Sequence, residues 1–327
     1  MVVLGTGGTI AGISSAATDN APDALPDNVP NNVPNNVPNN VHYRAAQLGV
    51  RQLLDAVPAL AGQPLEAEQV AQLDSKDMDF DVWLALARRI EFHLARDDVA
   101  GVVVTHGTDT LEETAYFLQR VLSPRKPVVM TAAMRPSDAM LRDGPQNLYD
   151  AVCVARQAGA FGVVAVLAGA VHGALDVRKL HSYRVDAFGS GDAGVLGWVE
   201  EGHLRRLREW SAGTPIGLDR LPRDTLTWPL VEMITGHAGM TGALVQAAIA
   251  QGVRGLVIAG PGNGSVHMRL EAALRTAQQG GVRVWRCTRC LAGPVFDEPE
   301  LPFPSAGTLT PVQARIELML NLLAAPG

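Results

Sequence analysis

Two threonines, each in a glycine turn that follows an apolar run, are the residues best placed to do chemistry in this sequence. Thr9 stands in "GTGGTI", residues 5–10, and Thr108 stands in "HGTDT", residues 106–110. A threonine hydroxyl becomes a nucleophile when a neighbouring base takes its proton, and backbone N–H groups of the turn can hold the resulting oxyanion. A hydroxyl beside a carboxylate, as in Thr108 and Asp109, can hold an amine and assist acyl transfer. Lys179, in "DVRKLHSY", is ordinarily a solvated lysine. It becomes a candidate base only where the fold takes it out of water near Thr108. Purely structural readings compete. "GTGGTI" can be a tight turn that needs positive φ. Thr110 and Glu113 have capping-box spacing, and Asp109 suits the positive end of a helix. These account for Thr110, Glu113 and part of Asp109, but not for Thr108.

The remaining motifs are weaker. In "QLDSKDMDFDVW", residues 72–83, Ser75 to Asp77 follow an apparent strand and Asp81 is in place to cap the next helix. "GPGNGSVH", residues 260–267, is a similar loop further along. The dinucleotide fingerprint G-x-G-x-x-G fails at Ile10. Cys287 and Cys290 have redox or metal spacing, but no second pair accompanies them. The eight histidines show no ligand spacing such as H-E-x-x-H, so no catalytic metal is indicated.

These residues need a frame that presents them together. Short β-branched runs at 2–5, 101–105, 127–130, 162–167, 255–259 and 281–286 predict strands. Stretches of helical period at 81–95, 111–122, 144–157, 241–250, 268–279 and 311–324 predict helices. The alternation predicts an α/β fold around a mostly parallel sheet, whose ligands bind outside the carboxyl ends of the strands. An aperiodic stretch with two prolines and two glycines predicts a boundary. The expected organisation is an N-terminal domain over 1–208, a linker over 209–228 and a smaller C-terminal α/β domain over 229–327.

The chain has 327 residues, 47% hydrophobic and 18% charged, enough to fill sizeable cores. The net charge of −6 gives no basic patch for nucleic acid, and no apolar run approaches a membrane span. Met1 leads directly into Val2-Val3-Leu4 with no basic region or cleavage site. A cytoplasmic location is expected, or a periplasmic one if a leader has been removed. Three cysteines give no disulfide framework.

Taken together, "TGGTIAG", "SKDMD", "VVVTHGTDTLEETAYFL", "KPVVMTAAMRP", "DGPQNLYDA", "GNGS" and "SAGTLTPVQAR" resemble the bacterial L-asparaginase family of threonine-nucleophile amidohydrolases over nearly the whole chain. The resemblance implies hydrolysis of L-asparagine to L-aspartate and ammonia without a cofactor, with room for a minor glutaminase activity. It implies Thr9 as the nucleophile, assisted by Tyr43 on a mobile lid over about 13–45. It implies a second polar cluster of Thr108, Asp109 and Lys179, with Asp109 on the substrate's amino group and Ser75 on its α-carboxylate. Lys76 stands where relatives often have glutamine; two readings stay open, a second contact to the α-carboxylate or a side chain pointing to solvent. The family is a homotetramer whose neighbours complete each site, which makes Ser265, often asparagine in relatives, and Glu298 or Glu300 candidate contributors. Two other functions fit less: the amidase subunit of a tRNA-dependent amidotransferase, and a non-catalytic amino-acid- or nucleotide-binding module.

One segment has no counterpart in that picture. "DNVPNNVPNNVPNNV", residues 27–41, repeats every four residues and has too few apolar side chains for a core. Joining "ATDN" to "VHYRAAQLGV" would give an ordinary family lid, so residues 21–40 read as an expansion within it. Closure entropy grows slowly with loop length, so the fold should tolerate the insertion while lid closure is disfavoured. Deleting residues 21–40 is expected to raise kcat/KM. An unchanged value in steady-state kinetics would make the repeat kinetically silent.

Overall fold

The computed structural model describes residues 1–14, 43–297 and 303–324. In chain order its elements are β1 (Val2–Gly7), β2 (Ile13–Ser14), β3 (Tyr43–Arg44), α1 (Val50–Asp55), β4 (Glu66–Leu73), α2 (Phe80–Leu94), β5 (Val102–Thr105), α3 (Leu111–Leu122), β6 (Pro127–Thr131) and α4 (Gly144–Ala155). Then come β7 (Gly162–Leu167), β8 (Ala170–Gly173), β9 (Arg178–Lys179), β10 (Phe188–Gly189), β11 (Gly197–Glu200) and β12 (His203–Arg206). The last are β13 (Val231–Thr235), α5 (Ala243–Ala250), β14 (Gly255–Gly260), α6 (Met268–Gln279), β15 (Arg283–Thr288) and α7 (Pro311–Ala324). The chain divides into two compact units. One is Met1–Ala115, Pro124–Ser190 and Val195–Ala212; the other is Tyr116–Ser123, Gly191–Gly194 and Gly213–Gly327.

The first unit is built on an eight-stranded sheet in the order β12-β11-β8-β7-β6-β5-β1-β4. β4, β1, β5, β6 and β7 run parallel, and β8, β11 and β12 extend the sheet antiparallel. The central strands β1, β5, β6 and β7 are buried at every residue. Helices cover both faces of such strands, so they read as unbroken apolar runs. Val3, Val103, Val129 and Val164 share a core with Leu148, Val152 and Ala155 of α4. The second unit has a parallel sheet, β13-β14-β15. Its core joins Leu256 and Ile258 of β14 to Leu270 and Leu274 of α6. The two-part α/β architecture expected from the sequence is therefore present.

Several elements escape the apolar-run criterion. β4 is an edge strand, "EAEQVAQL", with no fully buried residue. β13 buries only Val231 and Ile234. β15 begins two residues later than expected, because Gly281, at φ 89°, belongs to the preceding turn. α2 begins at Phe80, so the cap is Asp79, whose carboxylate accepts the Val82 N–H at 2.9 Å, and Asp81 lies in the first turn instead.

β2 and β3 pair antiparallel, Ile13 opposite Arg44 and Ser14 opposite Tyr43. The chain that leaves after Ser14 thus returns at Tyr43 beside its point of departure. The repeat lies outside the described residues.

Asp150 of α4 is buried, and Gln146 Nε2 donates to its Oδ1 at 2.8 Å. Burial pushes this carboxyl up to about 6. A raised carboxyl pKa means that the folded state holds the proton longer than the unfolded chain. Its ionisation therefore removes stability as pH rises from about 4 to about 6, and the loss persists above. Asp150→Asn keeps an acceptor for Gln146 without the charge. It is expected to stabilise the fold by on the order of 2 kcal/mol at pH 8 and by little at pH 4. Thermal unfolding midpoints at the two pH values measure this; an equal shift at both would contradict it.

Candidate active site

Three turns meet at the carboxyl ends of β1, β4 and β5. Gly7 and Gly8 leave β1 with φ of 104° and 81°, conformations that side chains rarely adopt. They lead into a single 3-10 turn, Thr9–Ala11, with Thr9 buried. The Gly8 N–H donates to the Leu73 carbonyl at 2.9 Å, and the Gly8 carbonyl accepts from Ala46 N at 3.0 Å. Ala11's carbonyl accepts from Gln47 N and Leu48 N at 2.7 and 2.9 Å. The strand returning from β3 is thus fastened onto the Thr9 turn.

Gly8 lies directly against Gly107. A Cβ on Gly8 would run into the Gly107 Cα and N and stand 2.7 Å from the His106 carbonyl carbon. A Cβ on Gly107 would stand 2.7 Å from Ser75 Cβ and 3.0 Å from Gly8 Cα. Both positions need glycine for space, and the contact sets Thr9 and Thr108 one residue beyond touching backbones.

The Ser75 turn is bound to the Thr108 turn twice. Ser75 Oγ accepts the Asp109 N–H at 3.1 Å, and Thr110 Oγ1 donates to the Ser75 carbonyl at 2.7 Å. Among the described residues nothing accepts the Ser75 hydroxyl proton, so a buried O–H is left to donate to a ligand. Lys179 enters from β9. Its Nζ donates to Thr108 Oγ1 at 2.8 Å and to Asp109 Oδ1 at 2.6 Å. The lysine side chain is 18% exposed, the aspartate 51%. A half-open carboxylate suits an incoming ammonium, and a lysine bonded to a threonine hydroxyl can exchange a proton with it.

Residues 1–211 match the family model described as Asparaginase, N-terminal, and residues 230–325 match the Glutaminase/Asparaginase C-terminal domain. This chain belongs to the asparaginase family. It is 36% identical over 329 residues to L-asparaginase 2 of Bacillus subtilis (strain 168), with 98% of this chain and 81% of the relative covered. It is 34% identical to glutaminase-asparaginase of Pseudomonas fluorescens biotype A, covering 98% and 86%. The crystal structure of a probable cytoplasmic L-asparaginase from Campylobacter jejuni matches with a TM-score of 0.86 at 34% identity, covering 98% of this chain and 94% of that one.

Within this asparaginase-family chain, the fold brings together Thr9, Ser75, Thr108, Asp109 and Lys179. Lys76 does not join them. Its ammonium is held by Asp74 at 2.8 Å and Asp77 at 3.2 Å, 61% exposed, and those carboxylates raise its pKa, Asp74 foremost. Tyr43 is described only by its backbone, in β3. Ser265 is exposed in the loop after β14 of the second unit, its N–H on the Pro261 carbonyl at 3.0 Å. In that loop Asn263 is fixed instead: its Oδ1 accepts from Phe296 N, and its carbonyl accepts from the fully buried Arg286. Glu298 and Glu300 lie outside the described residues.

Sequence reading gave no role to His106, although it stands inside "HGTDT". Its ring is fully buried, and burial pulls its pKa down to about 4, so it is neutral at pH 7. Nδ1 lies 2.7 Å from the Gly107 carbonyl, which can only accept, so the proton is on Nδ1. Nε2 then accepts from the Thr114 hydroxyl at 3.0 Å, and Thr114 accepts from Trp83 Nε1 at 2.8 Å. This chain from α2 and α3 fixes the Gly107 peptide. The signal was present as Thr114 and Trp83 on apolar helix faces, where a polar atom needs a buried partner.

Proposed function

We propose that the chain hydrolyses the side-chain amide of L-asparagine through a Thr9 acyl-enzyme. The observation that carries this is the contact of Gly8 with Gly107, which sets Thr9 beside a threonine already bonded to a lysine. Thr9 Oγ1 attacks the amide carbon, and the oxyanion is held by N–H groups of the glycine turn. The C–N bond breaks and the leaving nitrogen takes a proton as ammonia. Water then cleaves the ester, aspartate leaves and the Thr9 hydroxyl is restored. Thr108 and Lys179 carry the proton, Asp109 takes the α-ammonium, Ser75 donates to the α-carboxylate, and Tyr43 assists Thr9. Fixing both ends of a zwitterion presents its amide to the nucleophile and removes several kcal/mol of orientational cost. Lys76, ion-paired with Asp74 and Asp77, takes no part in holding the substrate in this reading.

The family and relatives support asparagine hydrolysis rather than an amidotransferase subunit or a non-catalytic binder. A minor glutaminase activity fits the pocket class, since one methylene changes discrimination by only ~1–3 kcal/mol. Ammonia release from L-asparagine and L-glutamine, measured side by side, tests the reading. No release from either would overturn it.

We also propose a cytoplasmic homotetramer whose neighbours complete each site through Ser265 and Glu298 or Glu300. The second unit exposes Leu226, Leu244, Met268, Leu291 and Phe296, apolar surface suited to burial between subunits. Among the described residues no helix is long and apolar enough to cross a membrane. One relative is named cytoplasmic and another periplasmic, so cell fractionation and sedimentation are the checks.

A further inference from the structure

We propose that Glu112 is the positioning residue that aims Lys179 at Thr108 and Asp109, and that its charge state tunes turnover. The inference rests on the reading above, in which the Thr108–Lys179 pair carries the proton.

The geometry is a grip on both ends of one lysine. The ammonium end is held by Thr108 and Asp109 at 2.8 and 2.6 Å. The backbone end is held by Glu112, whose Oε2 accepts the Lys179 N–H at 3.3 Å. All three partners lie within five consecutive residues, 108–112, so a single segment fixes both where the lysine starts and where it ends. The grip is needed because β9 is only two residues long. It pairs with β10 through Lys179 opposite Phe188 and Arg178 opposite Gly189. A lysine has four side-chain torsions to immobilise, so a shift of its backbone would dissipate the contact with Thr108.

Glu112 is partly buried, and its surroundings make it sensitive to pH. The charged groups facing it are Glu113 on its own helix and Arg178 and Lys179 on β9. Burial is the largest influence and outweighs the Lys179 N–H; it pushes the carboxyl up to about 7. Below that pH the group is neutral and a weaker acceptor. Above it the carboxylate holds the Lys179 N–H by a charge-assisted bond. Turnover is therefore set to rise with pH through neutrality.

The test is the pH profile of kcat/KM for L-asparagine in the full-length wild type and in Glu112→Gln. Gln keeps an acceptor of the same reach and cannot ionise. The wild type is expected to rise about fivefold between pH 6 and 8, the difference between a charged and a neutral acceptor. Glu112→Gln is expected to be flat over that range, at the lower level. A flat wild-type profile, or a Gln variant that keeps the rise at the same midpoint, would overturn the inference. If Glu112→Gln does not fold, Glu112→Asp decides: its shorter arm should cut the rise by at least about threefold, and an unmoved rise counts against the proposal. Retained turnover in Lys179→Met would instead sink the underlying site reading, whatever the Glu112 profiles show.

Discussion

Thr9→Ala is expected to lower ammonia release from L-asparagine by about 10⁴-fold or more, roughly 5 kcal/mol of barrier. The substitution removes the only atom of that residue able to form an ester. It leaves the backbone that positions the residue intact, because the turn is made by Gly7 and Gly8 and held by the Leu73 and Ala46 bonds. Folding should therefore survive, with a thermal midpoint within a few degrees of wild type, and aspartate should still bind, since the Ser75–Asp109 pair is untouched. Thr9→Ser keeps a hydroxyl at the same place and is expected to recover measurable turnover. Steady-state kinetics on the three proteins, with circular dichroism as the folding control, give the answer. An alanine variant within tenfold of wild type would move the nucleophile elsewhere, with Thr108 the next candidate.

What the sequence made legible follows from burial. The central strands β1, β5, β6, β7 and β14 are buried at every residue, and a doubly enclosed strand reads as a near-continuous apolar run, here broken only by buried residues such as Thr6, Thr105 and Thr131. The edges were fainter for the same reason: β4 reads only as an apparent strand ahead of Ser75. β4 faces water with Glu66, Glu68 and Gln69 among its residues and so shows neither an apolar run nor a clean alternation. At the site, glycines were the legible marks. Gly7 and Gly8 adopt positive φ, a local demand that the turn pattern carries, whereas the meeting of Gly8 with Gly107 is a contact between distant segments that it does not. Other pairings between distant segments were no more legible. Lys179 is 71 residues from Thr108 in the chain, and "DVRKLHSY" contains nothing that says where β9 will fold. Glu112 was hidden differently: an acidic residue in the first turn of a helix is already explained by the helix dipole. Its bond to Lys179 is therefore an addition that no local pattern signals. For Lys76 the structure favours the solvent-facing reading. Its neighbours in sequence, Asp74 and Asp77, hold it, and proximity to Ser75 along the chain did not translate into a place beside the Ser75 hydroxyl.

Lys179→Met is the second large effect, an expected loss of about 10²–10⁴-fold in kcat, the range a positioned acid or base supplies. Methionine is close in length and unbranched, so packing beside β10 is retained while the ammonium is lost. Two consequences separate this variant from Thr9→Ala. First, Thr108 Oγ1 and Asp109 Oδ1 each lose their Lys179 donor. The half-exposed Asp109 carboxylate then meets the substrate ammonium without a competing cation, so KM should stay level or fall while kcat drops. Second, Thr9 is intact, so the acyl-enzyme can still form slowly. If proton removal from the attacking water limits the second step, the ester should accumulate and be visible by mass spectrometry after quenching in acid; in Thr9→Ala no ester is possible. A kcat within fivefold of wild type would exclude Lys179 from proton transfer and reduce its role to holding Asp109. A matched loss in Lys179→Arg, which keeps the charge but cannot give up a proton near neutral pH, would locate the effect in proton exchange. Recovery in that variant would locate it in the positive charge alone.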